Sequence, residues 1–259
     1  MKTEESGKGR ARYGMVVNLD RCNGCGACVV ACAVENNVPP AAPQATDRTG
    51  IAWLRVQRVL NASGHAAFLP LMCQQCDAQT PCASVCPQNA VEVDPSSGIV
   101  GQVPQRCLGC RYCMVACPYH ARYFNWWDPE WPGSLTSTLN PAVSTRTRGV
   151  VEKCSFCNQR LQAARTRQAA ADAAPTDAAP TAAPEYKPAC VEACPAHALV
   201  FGNLEDPASA VAQLAQSKDS FRLLESLATG SKVYYHTRRS WVRQASLGAP
   251  AREEAKTHA

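Results

Sequence analysis

The sequence holds no run of about 18 apolar residues, so no helix that spans a bilayer is expected from it. Its opening stretch, Met1 to Gly14, is polar and charged, with no apolar core of signal-peptide type and no twin-arginine pair. Two expectations follow: a cytosolic protein, or one exported folded with a partner that carries the signal. A phosphate-binding loop, a dinucleotide fingerprint and a nucleophile elbow are also missing, which argues against an enzyme with its own active site. Cysteine is plentiful, with 16 in 259 residues, yet it stays below the density of disulfide scaffolds in a chain long for that class. Metal binding or redox work remains for so many thiols.

The formal charge is +5. Taken alone it would hint at nucleic acid or an acidic surface. A 4Fe-4S core on four thiolates carries roughly −2 when oxidised, so four of them would bring the loaded chain to about −3. The basic residues are then compensation for buried negative charge, and nucleic acid is not expected as a partner.

The cysteines fall into four groups with none left over: Cys22, Cys25, Cys28 and Cys32; Cys73, Cys76, Cys82 and Cys86; Cys107, Cys110, Cys113 and Cys117; Cys154, Cys157, Cys190 and Cys194. Groups one and three show Cys-x2-Cys-x2-Cys-x3-Cys in full, while groups two and four stretch the second gap to five and 32 residues. Three sulfurs at this spacing fit three corners of one cube, and the fourth is carried off to a different cluster, as in two-cluster ferredoxins. Structural zinc uses two paired hooks instead of such triplets, so a zinc-stabilised interaction module is the weaker reading; disulfides this tight would be strained.

Groups two, three and four end alike, in Cys86-Pro87-x-x-Ala90, Cys117-Pro118-x-x-Ala121 and Cys194-Pro195-x-x-Ala198, an internal repeat. Each last cysteine is expected on a short helix. In group one that helix runs on through Val29, Val30, Ala31 and Val34 until Pro39-Pro40. Strands are expected at 51–59, 68–72 and 199–201, a short hairpin at 91–93 with 99–100, and helix in 159–171 and across 208–227. Arg165 to Pro184 is Ala/Pro-rich and expected to be flexible, and the tail from Gly248 to be loose.

The order and spacing of the four groups, over roughly Tyr13 to Tyr235, resemble the four-cluster ferredoxin-type subunits of molybdopterin oxidoreductases of the dimethyl sulfoxide reductase and polysulfide reductase family. Two stretches, Tyr123 to Pro132 and Asn140-Pro141 through Arg148 to Cys154, are similar to a narrower branch. That branch holds the iron-sulfur subunit of the menaquinone reductase complex of sulfate reducers and the matching part of alternative complex III. The resemblance implies an α+β fold of two pseudo-symmetric bacterial 2x(4Fe-4S) ferredoxin-like modules with short hairpins, short helices and loop insertions. The first module would take 13–72 with 148–235, the second 73–147, with an insertion at 160–187 and a tail at 236–259. Spacing shows only that ligands cross between groups; the resemblance implies which groups pair. Cys22, Cys25, Cys28 and Cys194 would hold the first cluster, and Cys154, Cys157, Cys190 and Cys32 the second. Cys73, Cys76, Cys82 and Cys117 would hold the third, and Cys107, Cys110, Cys113 and Cys86 the fourth. Some relatives carry tryptophan at the middle cysteine of group three and a 3Fe-4S centre there; Cys110 implies 4Fe-4S, with a labile corner left open.

The function implied is one-electron relay without substrate chemistry, toward a membrane quinone-site subunit. The implied partners are a molybdopterin-type large subunit, a polytopic quinone-site subunit and a multihaem cytochrome c. The narrower branch favours the periplasmic face of the membrane, and the wider family includes cytoplasmic-facing members. The alternative is a subunit of a soluble cytoplasmic molybdopterin or formate/hydrogen oxidoreductase. Arg106, Arg111, Arg122 and Lys153 stand near ligands, either to raise potentials or to sit solvated or paired with carboxylates. His120 and His197 share one repeat position and are read as local packing or capping residues, since sixteen thiols already saturate four cubes. Trp126, Trp127 and Trp131 lie in a proline-bracketed segment expected to dock a membrane partner, against the alternative of a locally packed loop.

Overall fold

A computed structural model of the chain describes residues 11–46, 49–172 and 184–247. The chain opens on strand β1 (Tyr13–Asn18), passes group one, and enters helix α1 (Ala27–Glu35). Strands β2 (Leu54–Leu60) and β3 (Ala66–Met72) follow, then α2 (Pro81–Ser84), β4 (Val91–Val93), β5 (Val100–Gln102) and α3 (Tyr112–Ala116). Next come β6 (Tyr123–Phe124), β7 (Val151–Glu152), α4 (Asn158–Asp172), α5 (Ala189–Glu192) and β8 (Leu199–Asn203). The chain ends in α6 (Ala210–Ala215), β9 (Ser220–Phe221), β10 (Val233–His236) and α7 (Ser240–Leu247). This is the α+β architecture of short hairpins and short helices.

A strand enters each cysteine group (β1, β3, β5, β7) and a strand leaves it (β2, β4, β6, β8). Each leaving strand pairs antiparallel with the strand entering the next group: β2 with β3, β4 with β5, β6 with β7. The leaving strand of group four, β8, pairs antiparallel with β1, the entering strand of group one. Four pairings therefore close the chain into a ring. Around β1 the ring thickens into a four-stranded sheet, β8-β1-β10-β9, with β10 parallel to β1. Met15, Val16 and Val17 are fully buried there. So short an apolar run, covered on both faces, has no alternation for a sequence reading to catch.

Four sequence expectations need correction. The helices carry the third cysteine of each group (Cys28, Cys82, Cys113, Cys190), and only Cys32 among the fourth cysteines is helical. Cys86, Cys117 and Cys194 lie just past their helices because a following proline drives the preceding residue out of the helical region. Helix in 208–227 stops at Ala215, since Phe221 must pair with Tyr235 at the sheet edge. The strand read at 51–59 begins at Leu54 and reaches Leu60. Finally, β7 packs against β6, and Val151 shares a small apolar core with Cys82, Val91, Val100 and Cys113. Residues 151–152 thus pack with the 73–147 segment and not with the strands of the β1 sheet.

The helix of 159–171 is present as α4, and its Leu161 and Ala164 are buried in the main core. Of the flexible stretch expected over Arg165 to Pro184, 165–172 is helical as part of α4, while 173–183 and the tail from Gly248 fall outside the described residues.

Candidate metal centre

The Cys-Pro-x-x-Ala repeat is a device for holding a sulfur. In each copy the fourth residue turns into the left-handed region: Asn89 (φ 47°), His120 (φ 49°) and His197 (φ 47°). Its amide returns to the cysteine carbonyl at 3.3, 3.2 and 3.1 Å respectively. The alanine amide is thereby aimed at the cysteine sulfur, with Ala90 N 3.2 Å from Cys86 Sγ and Ala198 N 3.3 Å from Cys194 Sγ. Ala121 does the same for Cys117: burial pushes this thiol up, while the Ala121 amide opposes that rise. Alanine fits because the site is closed: Ala90, Ala121 and Ala198 are all buried. His120 and His197 close these turns through their backbone, and both are exposed.

The thiols gather in fours, each set drawn from two groups. Cys22, Cys25, Cys28 and Cys194 line one small cavity, floored by Val56, Pro70 and Leu199. Cys32 lies among Cys154, Cys157 and Cys190, and the amide nitrogen of Asn36 reaches Cys32 Sγ at 3.7 Å and Cys157 Sγ at 3.8 Å. Cys73, Cys76, Cys82 and Cys117 surround a third hollow, and Cys86, Cys107, Cys110 and Cys113 a fourth. Among the described residues no three His, Cys, Asp or Glu side chains converge tightly enough to hold a single ion. Zinc would need four ligands about one centre at roughly 2.3 Å. The sulfurs instead stand around a space, which suits a cluster.

The electrostatics ask for the same thing. Burial, then neighbouring thiols, push Cys28 and Cys76 up to about 11, and Cys154 up to about 12. Cys32 and Cys190, deeper still, are driven well above the usual thiol range by the same two causes in the same order. Thiolates in such places need a compensating cation, and iron supplies it while releasing the protons. Buried donor atoms without a hydrogen-bond acceptor stand near the thiols as well: Arg122 Nε and Nη1, and Lys232 Nζ. The residues therefore fit iron-sulfur clusters, which supply one-electron chemistry when bound.

The four cations singled out in the sequence divide. Arg122 and Lys153 are buried. Arg122 faces Cys82, Cys113 and Cys73, and Lys153 Nζ donates to the carbonyls of Val100 and Cys154. Arg106 pairs with Glu92 at the surface, and Arg111 lies 4.8 Å over the Trp126 ring and 5.2 Å over Phe124. Trp126 is thus packed locally. It also lines, with Trp127 and Trp131, a groove shared with Pro39, Pro40, Pro43 and Ile51.

Sequence reasoning missed a strap, Thr229–Lys232, that closes over the group-two loop. Asp77 N donates to the carbonyls of Thr229 and Gly230 at 3.1 Å, and Lys232 N donates to Gln74 O at 3.0 Å. Gly230 (φ 65°) lies so close that a Cβ would stand 2.6 Å from Ala78 N. The Thr229 hydroxyl bonds Cys76 and opposes its upward shift. Gln75 was missed too: fully buried, it donates to Cys154 O at 2.9 Å and accepts from Val100 N at 2.7 Å. No spacing marks these residues, because their partners lie up to about 150 positions away.

A 4Fe-4S dicluster domain model matches residues 65–131, and a 4Fe-4S binding domain model matches residues 13–34. The chain is 46% identical over 239 residues to the menaquinone reductase iron-sulfur cluster-binding subunit of Nitratidesulfovibrio vulgaris, covering 91% of this chain and 92% of that one. It is 35% identical over 256 residues to the Hdr-like menaquinol oxidoreductase iron-sulfur subunit 1 of Archaeoglobus fulgidus, covering 91% and 87%. The arsenate respiratory reductase iron-sulfur subunit ArrB of a Shewanella species is 30% identical over 257 residues, covering 86% and 95%.

Proposed function

The chain belongs to the ferredoxin-type iron-sulfur subunits of oxidoreductase complexes, electron-transfer components and not catalytic ones, and on that premise we propose that it carries four 4Fe-4S clusters in a line. One observation carries this reading: sixteen thiols sort into four sets of four, each drawn from two cysteine groups. The proposed ligand sets are Cys22/Cys25/Cys28/Cys194, Cys32/Cys154/Cys157/Cys190, Cys73/Cys76/Cys82/Cys117 and Cys86/Cys107/Cys110/Cys113. Groups one and four make one ferredoxin-like module, and groups two and three the other, with 151–152 assigned to the latter.

Contacts between sets support the order along the line. Cys190 feels Cys28, Cys154 feels Cys73, and Cys113 feels Cys82. The first and last sets hold the two exposed thiols among the sixteen, Cys25 and Cys110. Around Cys110 the surface is apolar, with Leu108 56%, Tyr112 65% and Val115 86% exposed. These ends are where electrons enter and leave. The chain's part in the relay is to hold the sites, exclude water and fix their potentials through amide-to-sulfur bonds and buried cations.

Among the described residues no helix is long and apolar enough to cross a membrane. The quinone chemistry in the names of two relatives therefore belongs here to a polytopic partner subunit that receives or supplies the electrons. A molybdopterin-type large subunit and a multihaem cytochrome c are the other proposed partners, on the periplasmic face, with Trp127 and Trp131 in a docking groove. Anaerobically purified protein should contain about sixteen irons and as many acid-labile sulfides, and give electron paramagnetic resonance signals on reduction. Zinc in place of iron would overturn the reading, and a pull-down from membranes identifies the partners.

A further inference from the structure

Lys232 sits in none of the cysteine groups, yet it is 4% exposed, its amide is tied to Gln74 between Cys73 and Cys76, and its charge faces those two thiols. The strap carrying it is fixed from both sides. Its amide donates to Gln74 O and its carbonyl accepts from Met15 N, each at 3.0 Å. Beside it, Ser231 Oγ lies 3.1 Å from Gln74 Oε1. The ammonium has no hydrogen-bond acceptor within reach, and Asp77, 3.6 Å away, is shared with Arg12. A desolvated ammonium is expensive unless a strong negative charge compensates it. The charged groups facing it are Arg12 and Lys153, which repel it, and Asp77, Cys73 and Cys76, which attract it. Asp77 and the negative charge gathered on Cys73 and Cys76 together offset part of the cost of its burial.

Resting on the four-cluster reading, we propose that Lys232 is a positioning residue that raises the reduction potential of the site on Cys73, Cys76, Cys82 and Cys117, separately from the other three sites. An added electron there deepens the negative charge, and a buried cation held rigidly beside it favours that reduced state more than water would. Arg122 differs, because it faces Cys82 and Cys73 of this set and also Cys113 of the next. The thiols that act most strongly on Lys232, Cys73 and Cys76, both belong to one set.

The test is a potentiometric titration followed by electron paramagnetic resonance on the iron-replete full-length chain in its complex. K232M should move one of the resolved midpoints to lower potential and leave the rest in place, and K232R should restore most of the shift. D77N, which removes a negative charge from the same pocket, should move that same midpoint upward. Unchanged midpoints in iron-replete K232M, or a common shift of all four, would overturn the inference. If K232M loses its cluster, K232Q decides: a downward shift of one midpoint supports it, and no shift refutes it. A wild-type protein without iron would instead refute the four-cluster reading itself.

Discussion

Asn36, buried at the end of α1, directs its side-chain amide at the sulfur of Cys157, 3.8 Å away and 121 residues further along the chain. The same nitrogen reaches Cys32 Sγ, so one amide serves two sulfurs of one set. Such donors stabilise the more negative, reduced state. Asn36→Leu should lower the midpoint of one cluster. The loss of one N–H···S bond worth about 1 kcal/mol corresponds to roughly 40 mV for a one-electron couple. Redox titration of the variant checks this, and full iron content with an unmoved midpoint would count against it.

Crossed ligation makes an asymmetric prediction. Cys194 belongs to group four in sequence but faces group one, and Cys32 belongs to group one but faces group four. Cys194→Ser should disturb the cluster of Cys22, Cys25 and Cys28. Cys32→Ser should disturb that of Cys154, Cys157 and Cys190. The two variants should therefore alter different resonance signals, and each should lose up to about four irons, the content of one cubane. If both variants altered one and the same signal, the pairing would be wrong.

Iron removal should unfold the chain. Cys28, Cys32, Cys73, Cys154 and Cys190 sit inside the main core, and Cys82 and Cys113 inside the smaller one. Metal binding at structural thiolate sites is worth on the order of 10 kcal/mol, comparable to the whole stability of a domain at about 5–15 kcal/mol. Anaerobic chelation followed by circular dichroism should show loss of cooperative melting. A chelated chain that still melts cooperatively would show the core to be independent of its metals.

At the surface, Trp127→Glu or Trp131→Glu should free the subunit from its membrane complex while its iron content stays intact. The groove these rings share with Pro39, Pro40 and Pro43 stands apart from the four thiol sets. Membrane fractionation with iron assay separates the outcomes. Retained assembly in both variants would remove the groove from consideration as an interface.

Much of the site was legible because thiol spacing is a local property: a triplet at x2, x2 closes on itself wherever the chain carries it. The Cys-Pro-x-x-Ala repeat was visible too, although its purpose, a left-handed turn at Asn89, His120 and His197 that aims an alanine amide at sulfur, emerged only in three dimensions. Lys232, Gly230 and Asn36 were illegible because their importance comes from distant partners. The helix expected through 208–227 stops early because Phe221 pairs at the sheet edge and Leu223 packs into the core, while Leu224 and Leu227 of the same spacing are exposed.

The ring of strand pairs has a consequence for biosynthesis. Its last joint, β8 on β1, unites residues 199–203 with residues 13–17, so the first entering strand waits for nearly the whole chain to be made. On the proposed pairing, a nascent polypeptide ending before Cys194 would lack the fourth thiol of its first site, however complete its other loops are. Loading at that end would then have to wait for the finished chain, and a truncated one would be left with an open circuit.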